Sequence, residues 1–394
     1  MGAGRFLLWD HTGFREYLLR GKIGGLEEVP CGTLVELIGY PKDGEMQVEK
    51  YRILHKPASD ICFELPGDPF EYAKRYVEYL RHPKVLRALL VYSSMLQILR
   101  GFLLKKGFVE LPPAIIGQAS DPGLRGARRA VVELYGERYE LHSSLIMYKQ
   151  LYASVLGKVF YVARNIRVEP VENASTGRHL VEFTQIDAEI ADAELGDMVA
   201  LGENAIYRSV KKLLSTSAEL IPAREVDRLE REIAKPPYPR LLYEEALEEL
   251  TKLGYEVKPG EELSFDAEVA LASHYGTPVW VVGYPTSARG FYNREDPARP
   301  GHNLDYNLLL PGIGEVLDGG CREYRKEAVV EKISRCHNED PARYKWFIDI
   351  LEKREITPTC GWGIGLERLV KYVLNLEHIV YASPHPRLPG IIGP

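Results

Sequence analysis

Chemistry-bearing side chains are densest in Asn165-Ile166-Arg167-Val168-Glu169, a polar loop over 170–177, and Arg178-His179-Leu180-Val181-Glu182-Phe183-Thr184-Gln185-Ile186-Asp187. Two apolar-alternating strands joined by such a loop form a hairpin. Period-two alternation puts Arg167 and Glu169 on one face and likewise groups Phe183, Gln185 and Asp187. That surface offers a guanidinium to a phosphate, a carboxylate to a base amino group, a ring to a base and an aspartate to an ammonium. Cross-strand ion pairing on a solvated sheet would use the same residues. The second stretch is Gly361-Trp362-Gly363-Ile364-Gly365-Leu366-Glu367-Arg368. Glycines at alternate strand positions permit close backbone approach, and Arg368 falls in the first turns of a helix, whose positive end favours anions. A strand packed against a helix would also explain them, and the spacing is not the dinucleotide fingerprint.

The elements that must position these residues follow from pattern. With 394 residues, the chain is long enough for about two to three domains. Lys and Arg number 50 against 56 Asp and Glu, a net charge of −6, which disfavours a wholly basic nucleic-acid platform. Short β segments fill residues 5–56, and a Pro-rich stretch over 57–69 has linker composition. Apolar spacing of three and four predicts one long helix from Pro83 to Lys106. After Gly107 strands predominate, with helices at 200–214 and 225–258 (broken at Pro236-Pro237), and a strand running into a helix at 361–374. The C-terminal block is therefore α+β, a mostly antiparallel sheet with helices around it. Five cysteines stand far apart without C-x-x-C, arguing against a disulfide framework or a zinc site and for a reducing, cytoplasmic location. Apolar stretches are interrupted before the roughly 20 residues of a membrane span, so no membrane partner is expected.

Arg167-x-Glu169, Arg178-His179-x-x-Glu182-Phe183-Thr184-Gln185-x-Asp187 and Gly363-x-Gly365-x-Glu367-Arg368 resemble motifs 2 and 3 of the class II aminoacyl-tRNA synthetases, in their aspartyl/asparaginyl subgroup. Gly107-Phe108-Val109-Glu110-Leu111-Pro112 resembles motif 1, the dimer element, and His385-Pro386-Arg387-Leu388-Pro389-Gly390 the subgroup's C-terminal signature. The likeness covers residues 83–394. It implies a seven-stranded antiparallel sheet, a homodimer, and ATP bound in a bent form. Arg167 would hold the α-phosphate, Glu169 the adenine amino group and Phe183 the adenine ring. His179 would approach the γ-phosphate, Arg368 would clamp the far phosphates, and Gly365 would line the nucleotide site. Glu315 matches a Mg²⁺ ligand of the family. A second acidic metal position falls on Asn307, with Asp305 in the wrong strand phase, and a histidine often found before motif 3 is Thr359.

Tyr148-Lys149-Gln150 resembles the element of aspartate-using members whose lysine pairs with the substrate carboxylate, and Arg322 matches an arginine binding the same group. Ser144, Gln185 and Asp187 complete the expected aspartate site. Two cations facing one carboxylate favour aspartate, since an amide would leave buried charge unpaired; ordinary surface charges are the alternative. Residues 107–150 look more like archaeal A-type asparagine synthetases, which implies ammonia as acceptor of an aspartyl-adenylate. His142-Ser143-Ser144-Leu145 replaces the tRNA enzymes' Q-S-P-Q, and Gly123-Leu124-Arg125-Gly126-Ala127 their acidic flipping loop. Residues 1–65 resemble a truncated OB-fold anticodon module, with Phe6, Trp9 and Phe14 as stacking candidates, joined by 66–82 to a catalytic domain over 83–394. Residues 1–60 hold eight Lys or Arg against nine Asp or Glu, so no basic groove is evident. Aspartyl-tRNA synthetase activity and a catalytically silent paralogue remain the competing readings.

Overall fold

The computed structural model describes residues 4–10, 13–20, 25, 28–30, 32–42, 45–58, 64–120, 127–336, 338–353 and 356–394, with backbone alone over 4–20, 41–42 and 45–46. Strands β1 (Gly4–Asp10), β2 (Gly13–Arg20), β3 (Leu34–Lys42) and β4 (Glu45–His55) form one sheet in the order β1-β2-β4-β3. The side chains of Phe6, Trp9 and Phe14 lie outside the described residues, as does loop 121–126. Within 66–82 a short helix α1 (Pro69–Arg75), capped by Asp68, leads into a 3₁₀ turn. Tyr72, Ala73, Tyr76 and Tyr79 are buried in the main core, so this connection is packed against the C-terminal α+β block.

The long helix α2 (Pro83–Lys105) starts at Pro83, where a missing N–H costs nothing, and the His82 side chain caps Lys84 N–H. By length and composition it could cross a membrane, contrary to the expectation from apolar run lengths. Its buried Val85, Val91, Met95, Leu99 and Leu103 instead join the main core.

Behind it lies an eight-stranded sheet in the order β11-β12-β13-β14-β15-β10-β9-β5. These strands are β5 (Val109–Glu110), β9 (Lys158–Ile166), β10 (Glu182–Ala191), β11 (Arg240–Leu242), β12 (Val279–Val282), β13 (Asp305–Leu310), β14 (Gly314–Cys321) and β15 (Thr359–Gly365). A separate three-stranded sheet holds β6 (Ile116–Gly117), β7 (Val131–Leu134) and β8 (Glu137–Leu141). The main sheet therefore has eight strands rather than seven, and its two edge pairs, β5·β9 and β11·β12, are parallel. Parallel neighbours need long crossovers. Helix α3 (Ile146–Leu156) lies on the first crossover. On the second lie α6 (Tyr243–Lys252) and α7 (Phe265–Tyr275), which follow α4 (Leu195–Thr216) and α5 (Ala223–Glu232) along the chain. Helices α8 (Lys326–Cys336) and α9 (Lys345–Glu352) separate β14 from β15, which runs into α10 (Leu366–Leu374). The central strands bury both faces, as helices on a sheet require.

The cysteine reading is corrected: Cys321 and Cys360 form a disulfide. They are 39 residues apart in sequence but directly opposite each other on β14 and β15. Linear spacing does not reveal such a cross-strand pair.

Candidate functional site

One cavity of about 520 Å³ opens on the sheet and is lined by residues from β10, β14, β15, α10 and their loops. It gathers Arg167, Glu169, His179, Phe183, Glu315, Gly365 and Arg368, the residues expected at the nucleotide, together with Gln185 of the expected amino-acid site. Lys149, Asp187, Arg322 and Ser144 do not line it. The first three lie buried.

At one end the cavity is crowded with cations. Arg167 and Glu169 lie just beyond the β9 ladder, not on a strand face, yet both line the wall. The Arg167 guanidinium rests over the Phe183 ring, 5.0 Å from its centroid. Its buried Nε makes no hydrogen bond, and among the described residues no carboxylate pairs with it. Arg178 pairs with Glu268 at 3.2 Å and stacks on Phe265. Burial and the nearby Arg368 charge lower its pKa. Arg368, in the first turn of α10, donates to Glu315 Oε1 at 2.8 Å. His179 is pushed down to about 3 by burial, then by Arg368 and Arg178, so it is neutral at physiological pH. One guanidinium without a carboxylate partner, Arg167, beside two that are ion-paired suits an anion such as a phosphate. Beside them Glu169 accepts from Asn173 Nδ2 at 2.9 Å.

The alternate glycines have a specific cause. On β15, Gly361, Gly363 and Gly365 stand opposite Glu189, Asp187 and Gln185 of β10. A Cβ on Gly361 would overlap the Glu189 carboxylate, and one on Gly363 would sit 2.7 Å from Asp187 Oδ1. The glycines thus make room for two buried carboxylates, which hold the expected amino-acid residues. Lys149 Nζ, from α3, donates to Asp187 Oδ1 at 2.8 Å and lies 4.0 Å from Glu189. Arg322 forks onto Glu189 at 3.0 and 3.2 Å, and Thr359 Oγ1 donates to the same carboxylate at 2.7 Å. Lys149 and Arg322 are therefore not surface charges. Nor do they form a bare cationic pocket, since two carboxylates neutralise them. Asp187 Oδ2 is buried without a hydrogen-bond partner, next to cavity-lining Gly363, and suits an ammonium.

Sequence reasoning missed Arg178, Glu262, Arg289, Asn293 and Asp318, all in the cavity wall. Glu315 and Asp318 are three apart and would face opposite ways on a regular strand. A bulge pairs Leu308 with Leu317 but Leu309 with Glu315, so both reach the cavity. Their hard oxygen donors fit a divalent cation such as Mg²⁺. Asp305 is in phase with Asn307 after all: both accept from Arg289. A signal existed for Arg178, beside His179 in the hairpin motif. Arg289 has none, because its partners are distant in sequence.

The family model for class II tRNA synthetases (D, K and N) matches residues 68–389. The asparagine–tRNA ligase of Thermococcus kodakarensis is 31% identical over 356 residues, covering 90% of this chain and 81% of that protein. That of Thermococcus gammatolerans is 30% identical over 355 residues, with the same coverage. Among solved structures, asparaginyl-tRNA synthetase from Pyrococcus horikoshii complexed with asparaginyl-adenylate is similar at a TM-score of 0.83 and 26% identity, covering 100% of this chain and 94% of that one. A putative aspartyl-tRNA synthetase from Leishmania major Friedlin, at 19% identity and a TM-score of 0.76, covers 99% of this chain and 88% of its own and shares the fold.

Proposed function

Because the chain belongs to the class II tRNA synthetases of the D, K and N group, and so to the ATP-using ligases, we propose that it activates asparagine with ATP and transfers it to tRNA. The single observation that carries nucleotide binding is Arg167, a guanidinium without a carboxylate partner among the described residues, in a cavity shared with Arg178 and Arg368.

In this reading Arg167 binds the α-phosphate, Arg368 holds the distal phosphates, and neutral His179 offers a hydrogen bond rather than a charge. Glu169 and Phe183 receive adenine. The amino acid's ammonium goes to Asp187, with Gln185 beside it, and Ser144 belongs to the same proposed site. An α-carboxylate is ionised at neutral pH, so it attacks the α-phosphorus without a general base. The new bond joins carboxylate oxygen to phosphorus as the bond to the pyrophosphate oxygen breaks. Arg167 stabilises the charge gathering on the transferring group. Mg²⁺ held by Glu315 and Asp318 would neutralise phosphate charge when bound. A tRNA terminal hydroxyl then displaces AMP.

Asparagine is favoured because Asp187 and Glu189 already pair the charges of Lys149 and Arg322, so no unpaired cation calls for a second carboxylate on the substrate. The relatives named above support the same amino acid. Ammonia as acceptor finds no support among them, since they are tRNA ligases. One observation favours aspartate as a second reading: a substrate ammonium at Asp187 would release Lys149 to meet a β-carboxylate. The test is ATP–pyrophosphate exchange and tRNA charging with each amino acid in turn. Asparagine-dependent exchange and charging support the proposal; aspartate-only activity selects the second reading. Exchange with neither amino acid refutes both.

A further inference from the structure

The loop between β12 and β13 carries Asn293 into the cavity wall, beside Arg322 at the end of β14. Its backbone is pinned on both sides. Arg294 N–H donates to the Cys321 carbonyl at 2.8 Å, and Glu323 N–H to the Tyr292 carbonyl at 2.8 Å. Lys332, on α8, donates to the carbonyl of Asn293 itself. The residue is only 5% exposed. Its side chain is oriented too: Arg322 Nη1 donates to Asn293 Oδ1 at 3.3 Å, and because a guanidinium has no acceptor, the amide oxygen is the atom that faces it. That leaves Nδ2 as a donor with no acceptor among the described residues, in the wall of a cavity. A polar group so enclosed calls for a partner.

Sheet register places this donor where a substrate side chain would end. Asp187 of β10, Gly363 of β15 and Asp318 of β14 form one cross-strand row, and Glu189, Gly361 and Gly320 form the next on the same face. Rows two residues apart are separated by about 7 Å along the strands. A Cβ on Gly320 would stand 2.8 Å from Asn293 Oδ1, so Asn293 lies over the second row. With its ammonium at Asp187 in the first row, an asparagine reaches toward the second with its carboxamide, the remaining gap being one hydrogen bond of about 2.9 Å. Arg322 does not line the cavity, and Glu189 neutralises it. What the second row offers the cavity is therefore the uncharged donor of Asn293.

We infer that Asn293 is a specificity-determining residue whose Nδ2 donates to the side-chain carbonyl oxygen of the amino acid being activated. The inference rests on the activation reading above and extends it to a loop outside the hairpin and the glycine strand. It is tested by pyrophosphate exchange in wild type and Asn293→Ala, measuring the Michaelis constants for asparagine and ATP and the inhibition constant of 2-aminobutyrate against asparagine. That inhibitor keeps the ammonium and the α-carboxylate but has a methyl where asparagine has its carboxamide.

Loss of one neutral hydrogen bond should raise the asparagine constant about tenfold in Asn293→Ala. The ATP and 2-aminobutyrate constants should stay within twofold of wild type. An asparagine constant within threefold of wild type would overturn the inference. So would a 2-aminobutyrate constant that rises in step with it, since that would mark Asn293 as a support for the pocket rather than a contact to the side chain. Should Asn293→Ala fail to fold, Asn293→Asp decides, because it keeps an acceptor for Arg322 and removes the donor: the ratio of the asparagine to the 2-aminobutyrate constant should rise at least tenfold, and an unchanged ratio overturns the inference. Wild type that exchanges with aspartate alone would sink the asparagine reading, and the ratio is then taken with aspartate, whose carboxylate oxygen would meet the same donor. Wild type that exchanges with neither refutes the activation reading itself.

Discussion

Replacing Arg167 with alanine separates a residue kept for chemistry from one kept for folding. Its guanidinium contacts the Phe183 ring and pairs with no carboxylate among the described residues. Its removal forfeits a cation–π contact worth about 0.5–1 kcal/mol and strands no buried anion. Stability should therefore fall by about 1 kcal/mol. Transition-state stabilisation should fall much further, because a guanidinium aimed at developing phosphate charge in a water-poor site contributes about 3–4 kcal/mol, a loss of roughly 10²–10³ in rate. The assay is amino-acid-dependent pyrophosphate exchange into ATP, run beside urea unfolding of both proteins. Exchange within about threefold of wild type would refute the assignment. So would lost exchange accompanied by several kcal/mol of lost stability, since that would mark Arg167 as a structural residue.

The other sites separate differently. Lys149→Met leaves Asp187 buried and unpaired, so unfolding experiments should show a loss of about 3–5 kcal/mol, and the Michaelis constant for the amino acid should rise more than that for ATP. Gly363→Ala brings a methyl to 2.7 Å from Asp187 Oδ1; steady-state exchange should show at least a tenfold higher amino-acid Michaelis constant with little change for ATP. Glu367 is raised from 4.5 to about 7 by burial, against hydrogen bonds from the Thr184 backbone. A raised carboxyl pKa means the folded state binds the proton more tightly, so this contribution is complete below pH 4.5 and is lost as pH rises through 7, about 3 kcal/mol in all. Unfolding free energies of Glu367→Gln measured across that window should lack this decline. His179, neutral down to about pH 3, should add no titration to the exchange profile between pH 5 and 9, and Asn at 179 should leave its shape unchanged.

The hairpin motif announced one wall of the cavity because its residues are close in sequence. Arg167, Glu169, His179 and Phe183 span 17 positions and meet in one wall. Even there the strand-face argument was incomplete, for Arg167 and Glu169 lie past the end of β9, and the loop geometry turns them inward. The purpose of the alternate glycines was not legible, because it depends on β15 pairing with β10 about 175 residues earlier in the chain. Lys149 and Arg322 were identified, but not their neutralisation by Asp187 and Glu189, which requires knowing what stands on the adjacent strand. The bulge that turns both Glu315 and Asp318 into the cavity leaves no mark in local sequence. Nor does the Cys321–Cys360 bond, formed by two residues with nothing in common but opposing positions on neighbouring strands. Helix periodicity carried further: α2 begins at the expected proline and ends one residue earlier than its apolar spacing suggested.

The most direct measurement is a crystal structure with a non-hydrolysable ATP analogue and asparagine. The account predicts the α-phosphate within hydrogen-bond distance of Arg167, the distal phosphates at Arg368, and the asparagine ammonium at Asp187. Nucleotide density elsewhere on the molecule, with Arg167 still resting on Phe183, would contradict it.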